Sequence, residues 1–242
     1  MAQIQILPGP PSVAQAAADI IVAAARRAAA EGRTFSLVLS GGSTPKILYQ
    51  LLAAESYRSQ IEWPSVEVYF GDERAVPRDH PDSNFKMAND ALLSRVPLRP
   101  DHVHRMRGEI DPNQAAIEYG RMLKSRFGDA GPDVTLLGMG DDGHTASLFP
   151  YSPAVSETCH RCVAQFVEKS TTGPSWRITL TAPFLNRSAK ILVMVTGQSK
   201  AARLAEVLEG PKDPQRLPIQ LILPADPMFL LDTPAASRLS QP

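Results

Sequence analysis

The stretch Phe35-Ser36-Leu37-Val38-Leu39-Ser40-Gly41-Gly42-Ser43-Thr44-Pro45 decides the fold. Phe35 to Leu39 is a short, nearly continuous apolar run, the pattern of a strand buried on both faces. Pro45 stands where a first helical turn tolerates proline, and Ile47, Leu48, Leu51 and Leu52 follow at helical spacing. The linking glycines, Gly41 and Gly42, let the backbone bend toward a ligand. The free N–H groups at the helix start favour an anion, and Ser43 and Thr44 add hydroxyl donors. The same pattern also suits a tight strand-to-helix turn with a Ser or Thr cap. It is not a Walker loop, and Ser43-Thr44-Pro45-Lys46 lacks the K-T-G partner of an S-x-x-K enzyme.

The same grammar recurs along the chain. Val66 to Phe70 runs into Gly71-Asp72-Glu73-Arg74, Val134 to Leu137 into Gly138-Met139-Gly140-Asp141-Asp142-Gly143-His144, and Ile191 to Val195 into Thr196-Gly197-Gln198-Ser199-Lys200. Helices are expected up to Gly32 with Ser12 as cap, from Ser83 through Leu92, from Asp111-Pro112 to Phe127, and from Ser199 to Glu209. Cys162 to Val167 and Ile178 to Leu180 read as further strands, with Val103 in a short one. The expectation is an α/β fold with a mainly parallel sheet covered on both faces. In such sheets ligands sit beyond the carboxyl ends of the strands. The polar loops after Leu39, Phe70, Leu137 and Val195 all leave strands at that end.

Composition narrows the class. The 242 residues carry 25 Lys+Arg against 25 Asp+Glu, which argues against a nucleic-acid binder, since phosphate neutralisation needs a basic excess. No linker or repeat divides the chain, so residues 1–242 are expected to form one domain. The 22 prolines are scattered and punctuate elements. No secretory signal opens the chain, and Asp19, Arg26 and Arg27 interrupt the Ala-rich stretch well short of the ~18–20 residues of a membrane span. A cytoplasmic protein without membrane contact is expected, as a monomer or weak homo-oligomer. Cys159 and Cys162 form a lone C-x-x-C; a structural zinc site needs four ligands, so no metal is expected.

Chemistry concentrates in two loops. Gly138 to Gly143 spells G-x-G-x-x-G after a strand, but Asp141 and Asp142 would meet a pyrophosphate with like charge. Pro150 and Pro153 also leave little room for the long helix that should follow, so a dinucleotide is not expected. His144 suits proton transfer, because imidazole titrates near neutral pH, and Asp142 two residues earlier can hold its tautomer. His80, His102, His104 and His160 lack such company. Asp72 and Arg74 either form a solvated ion-pair loop or point into the crevice with His144. Arg177 and Lys200 are scattered cations that together suit a phosphate.

Four segments now coincide: Leu39 to Pro45, Gly71 to Arg74 with Asp82-Ser83-Asn84, Gly138 to Pro150, and Thr196 to Ala201. In this order, across nearly the whole chain, they resemble the glucosamine-6-phosphate isomerase/6-phosphogluconolactonase family, most specifically through Gly138 to Pro150. The resemblance implies a single-domain, Rossmann-like three-layer sandwich. It also implies hydrolysis of a sugar-phosphate lactone, 6-phosphogluconolactone, in the oxidative pentose phosphate pathway without metal or cofactor. His144 would be the general base, with Asp142 behind it, Arg74 near the developing charge at C1, and Asp72 orienting the site or a sugar hydroxyl. Gly41, Gly42, Ser43, Thr44, Asn84, Arg177 and Lys200 would bind substrate. Two alternatives follow from the same features: the family's deaminase branch and a non-catalytic sugar-phosphate sensor. The deaminase pattern carries a Glu where this chain has Phe149, and a phenyl ring cannot transfer a proton.

Overall fold

The strand expected at Phe35 to Leu39 lies inside a parallel sheet in a computed structural model, which describes residues 2–168, 173 and 175–240. Among the described residues the strands are β1 (Gln3–Leu7), β2 (Phe35–Leu39), β3 (Val66–Phe70), β4 (Asp72–Arg74) and β5 (Val134–Leu137). They continue with β6 (Cys162–Val167), β7 (Ser175–Leu180), β8 (Lys190–Val195) and β9 (Met228–Asp232). The helices are α1 (Pro10–Ala30), α2 (Ser43–Ala53), α3 (Glu55–Arg58), α4 (Asn84–Ala91), α5 (Pro112–Phe127), α6 (Ala182–Leu185), α7 (Ala201–Glu209) and α8 (Thr233–Ala236). The main sheet runs β1-β9-β8-β5-β2-β3, parallel throughout. A small antiparallel sheet, β4-β7-β6, stands beside it.

Strand alternation explains why the central runs are mainly apolar at both parities. In β2, Leu37 and Leu39 join one hydrophobic cluster with α1, α2 and α4, while Val38 joins the other with α5 and α7. In β8, Leu192 and Met194 face the first cluster, and Ile191, Val193 and Val195 the second. A sheet with helices on both faces has no solvent side, so both parities must be apolar. The expected α/β architecture is the observed one.

Differences are local. Helix α1 begins at Pro10 behind an extended Gly9, so Ser12 is inside the helix and not its cap. Proline needs no N–H partner at a first helical turn, and its fixed φ favours starting there. The Gly32 stop stands, with φ +66. Val103 makes only an isolated bridge to Val68. Strands β1, β4 and β9 differ from expectation: Asp72 to Arg74 reads as a polar loop in the sequence, and the region after Pro211 carries no motif. No helix among the described residues is long and apolar enough to cross a membrane.

Candidate active site

Two buried tyrosines fix the strand ends from which the site begins. The Tyr49 hydroxyl accepts from Ser40 N (2.9 Å) and donates to Ser40 O (2.7 Å), pinning the backbone where the glycine loop leaves β2. The Tyr119 hydroxyl accepts from Phe70 N (2.9 Å) and donates to His104 O (3.1 Å) at the end of β3. Past Ser40, Gly41 passes so close to Asn84 that a Cβ there would lie 2.0 Å from Oδ1. Gly42 has φ +108 and starts α2, leaving Gly42 and Ser43 exposed at the loop tip. The Thr44 hydroxyl meets that of Thr196 at 2.8 Å, bringing the β8 exit against the α2 start.

Asn84 links this loop to Asp72. Its Nδ2 donates to Asp72 O (3.0 Å) and Oδ1 (3.1 Å), and Asp72 Oδ2 accepts from Ser147 Oγ at 2.6 Å. Ser147 belongs to the His144 loop, and its N–H donates to Thr179 Oγ1 (3.1 Å) on β7. In β4 the side chains alternate, so Asp72 and Arg74 share one face and Glu73 takes the other. Register places Asp72 opposite Thr179 and Arg74 opposite Arg177. Arg177 is buried, and burial followed by the nearby Arg74 charge pushes its guanidinium below its usual range, with Asp72 opposing. Like charges directly opposite on a sheet are destabilising, so this pair suits an anion better than it suits the fold. Arg74 also donates to the Asp82 carbonyl through Nη1.

Glu73 is structural. It is buried, and its carboxylate accepts from Arg74 N (2.8 Å), Asn84 N (2.7 Å), Phe85 N (2.8 Å) and Ser83 Oγ (3.0 Å). Burial pushes this carboxyl up, against the pull of those donors. It anchors the start of α4, and with it Asn84, by serving the free N–H groups of the first turn. Glu73→Ala leaves buried donors without an acceptor and is expected to cost about 3 kcal/mol, read as a lower urea midpoint. An unchanged midpoint contradicts this assignment.

His144 is held from several sides. Its Nδ1 lies 2.6 Å from Asp142 Oδ1, and the same oxygen accepts from His144 N at 3.1 Å. Burial alone would raise the Asp142 carboxyl, but the hydrogen bond and charge of His144 outweigh it and the net shift is downward. Phe149 stacks on the imidazole with centroids 4.3 Å apart and planes at 29°. Gly140 closes the other approach: a Cβ there would sit 2.1 Å from His144 Cε1 and Nδ1. The loop is buttressed from the C-terminal region, where Ile219 N donates to Gly143 O (3.0 Å) and Leu217 packs so that a Cβ on Gly143 would reach its Cδ2 at 2.9 Å.

The contacts therefore bring Gly41, Thr44, Asn84, Asp72, Arg74, Arg177, Asp142 and His144 to the carboxyl end of the sheet. Lys200 is engaged in a pair with Asp141 (2.7 Å). The sequence gives Ser147 no role and Phe149 only that of a missing carboxylate, and it does not single out Tyr49 or the Leu217–Ile219 buttress. Ser147 and Phe149 lay in the most specific segment, whereas the buttress carries no local signal. Among the described residues no group of His, Cys, Asp and Glu is arranged to hold a metal ion. Cys162 is buried, with its thiol pushed far up by desolvation, and Cys159 is exposed; both are free thiols.

A parallel-sheet fold with a histidine–carboxylate pair on one loop and a glycine turn on another, the two loops linked through Asn84, Asp72 and Ser147, defines the class. Comparison with known proteins narrows it. The family described as glucosamine-6-phosphate isomerases/6-phosphogluconolactonase matches residues 8–230, and the chain belongs to this family. A 6-phosphogluconolactonase of Nostoc sp. is 36% identical over 245 residues, covering 98% of each chain. The solved 6-phosphogluconolactonase of Trypanosoma brucei is 28% identical with a TM-score of 0.89 over 99% of each chain. A monomeric glucosamine-6-phosphate deaminase, 22% identical, superposes with a TM-score of 0.86 over 98% of this chain and 99% of its own, so the fold alone does not separate the two activities.

Proposed function

We propose that His144 is the general base of a 6-phosphogluconolactonase and that the chain hydrolyses 6-phospho-D-glucono-1,5-lactone to 6-phospho-D-gluconate, a step of the oxidative pentose phosphate pathway. The observation that carries the mechanism is the 2.6 Å contact between His144 Nδ1 and Asp142. An ionised Asp142 holds the proton on Nδ1 and leaves Nε2 able to accept one from water. The water attacks C1, its proton passes to Nε2, and the carbonyl oxygen becomes an oxyanion beside Arg74. Collapse breaks the bond from C1 to the ring oxygen, which takes the proton back from His144. A positioned donor such as Arg74 is typically worth about 3 kcal/mol in such a transition state. Both Asp72 carboxylate oxygens already accept from the protein, which favours an anchoring part over a grip on a sugar hydroxyl. Gly41, Gly42, Ser43 and Thr44 cradle the 6-phosphate at the α2 start, with Arg177 and Lys200 as its cations. No cofactor enters these steps. We read residues 1–242 as one cytoplasmic catalytic domain, working as a monomer or weak homo-oligomer.

Phe149 supports lactonase over deaminase, because it offers the histidine a ring to stack on and no proton to relay. The test is an assay with freshly generated lactone beside glucosamine-6-phosphate. Lactone hydrolysis without ammonia release is expected, and ammonia release without hydrolysis overturns the reading. In the same assay Arg177→Ala and Lys200→Ala should each lower kcat/KM on the phosphorylated lactone about tenfold or more, with little effect on unphosphorylated gluconolactone. An equal proportional loss on both lactones would remove these residues from the phosphate site.

A further inference from the structure

Asp141 is one of the two acids that set this loop apart from a nucleotide-binding glycine loop, and the mechanism above gives it no part. Its carboxylate lies 2.7 Å from Lys200 Nζ, with the lysine side chain 22% exposed and the carboxylate 70%. The backbone on both sides of this pair is clamped. Asp141 O accepts from Arg203 Nε (3.0 Å), and Arg203 is itself tied to Glu206 at 2.8 Å. On the lysine side, Gly197 N–H donates to both Asp232 oxygens at 3.0 Å, and Thr196 rests on Thr44 of the glycine loop. The two side chains can therefore part without moving the backbone that carries His144.

We propose that Asp141 is a specificity-determining counter-ion that occupies Lys200 and yields it more readily to a dianionic phosphate monoester than to a monoanion or a neutral sugar. This rests on the reading of Lys200 as a phosphate ligand. The argument is one of charge. A neutral sugar offers Lys200 nothing in place of Asp141, and a monoanion exchanges one single charge for another. A phosphate monoester brings close to two negative charges and three acceptor oxygens, and the Gly41–Thr44 loop holds it at the same time. Asp141 thus sets a threshold of ligand charge at the phosphate end of the site. An ion pair with one partner this exposed grips weakly, so the threshold is a few-fold effect.

The experiment uses Asp141→Asn, Lys200→Ala and the double variant, with inorganic phosphate and formate as competitive inhibitors of lactone hydrolysis at a pH where phosphate is largely dianionic. In Asp141→Asn the inhibition constant of phosphate should fall about two- to fivefold. Formate, a monoanion, should likewise inhibit that variant at a few-fold lower concentration than the wild type. In the Lys200→Ala background the same Asn substitution should change neither constant, because the two residues act as one pair. An unchanged phosphate constant in Asp141→Asn, no gain of formate inhibition, or equal tightening in both backgrounds each overturns the proposal. Lys200→Ala alone leaving phosphate inhibition unaltered overturns the underlying reading of Lys200, and the Asp141 proposal falls with it.

Discussion

His144→Gln is expected to lower kcat by at least about a hundredfold while the product 6-phosphogluconate still binds with nearly wild-type affinity. Glutamine keeps the polarity and approximate size of the ring, and it can accept from the solvent, but it cannot take up and return a proton near neutral pH. Binding should survive because the phosphate is held elsewhere, by the Gly41–Thr44 loop and the cations beside it. Steady-state kinetics with product inhibition separates the two quantities. Near-normal turnover in a folded variant removes His144 from the mechanism.

An effect of similar size is expected from a single methyl group. In Gly140→Ala the new Cβ would sit 2.1 Å from the His144 ring and 2.8 Å from Asp142 Oδ1, far inside van der Waals contact. The imidazole must leave its position between Gly140 and Phe149, which breaks the hydrogen bond that sets its tautomer. Misplacing a catalytic group by about an ångström typically costs on the order of a hundredfold. We expect kcat to fall about that much with the fold retained, as judged by circular dichroism. The double variant Gly140→Ala/His144→Gln should be little worse than either single change, since both remove the same function. A Gly140→Ala enzyme with wild-type kcat would show that the ring has room to spare.

Much of this architecture is legible in the sequence where local order and burial coincide. β2, β3 and β5 stand in the chain as mainly apolar runs with the bounds they have in the fold, because a strand covered on both faces is apolar at most positions of both parities. The Asp142–His144 pair is legible because its members are two residues apart. Strand β4 is not, since Asp72-Glu73-Arg74 is charged at every position and becomes a strand only by pairing with β7. The burial of Glu73 depends on Ser83, Asn84 and Phe85, and no local pattern announces it. Arg177 stands in the sequence as one scattered cation, and only the β4–β7 register sets it opposite Arg74. Phe149 is legible in the sequence only as a position without a carboxylate, whereas its stacking on His144 arises in the folded loop. The Leu217–Ile219 buttress lies beyond sequence reasoning for the same reason: its partner, Gly143, is remote along the chain.

The pairing of β1 with β9 also bears on how the molecule is made. Gln3 finds its register partner in Met228, so β1 must wait for β9 before it can pair. Until then β8 also lacks one neighbour, and the segment that braces the histidine loop is made only shortly before β9. Contacts so distant in sequence slow folding, because the chain must close a long loop before any bond repays it. A nascent chain halted before Met228 would expose the open flank of β8 to other unfinished chains. Catalytic competence should therefore appear late and abruptly during synthesis, once the closing strand is in place.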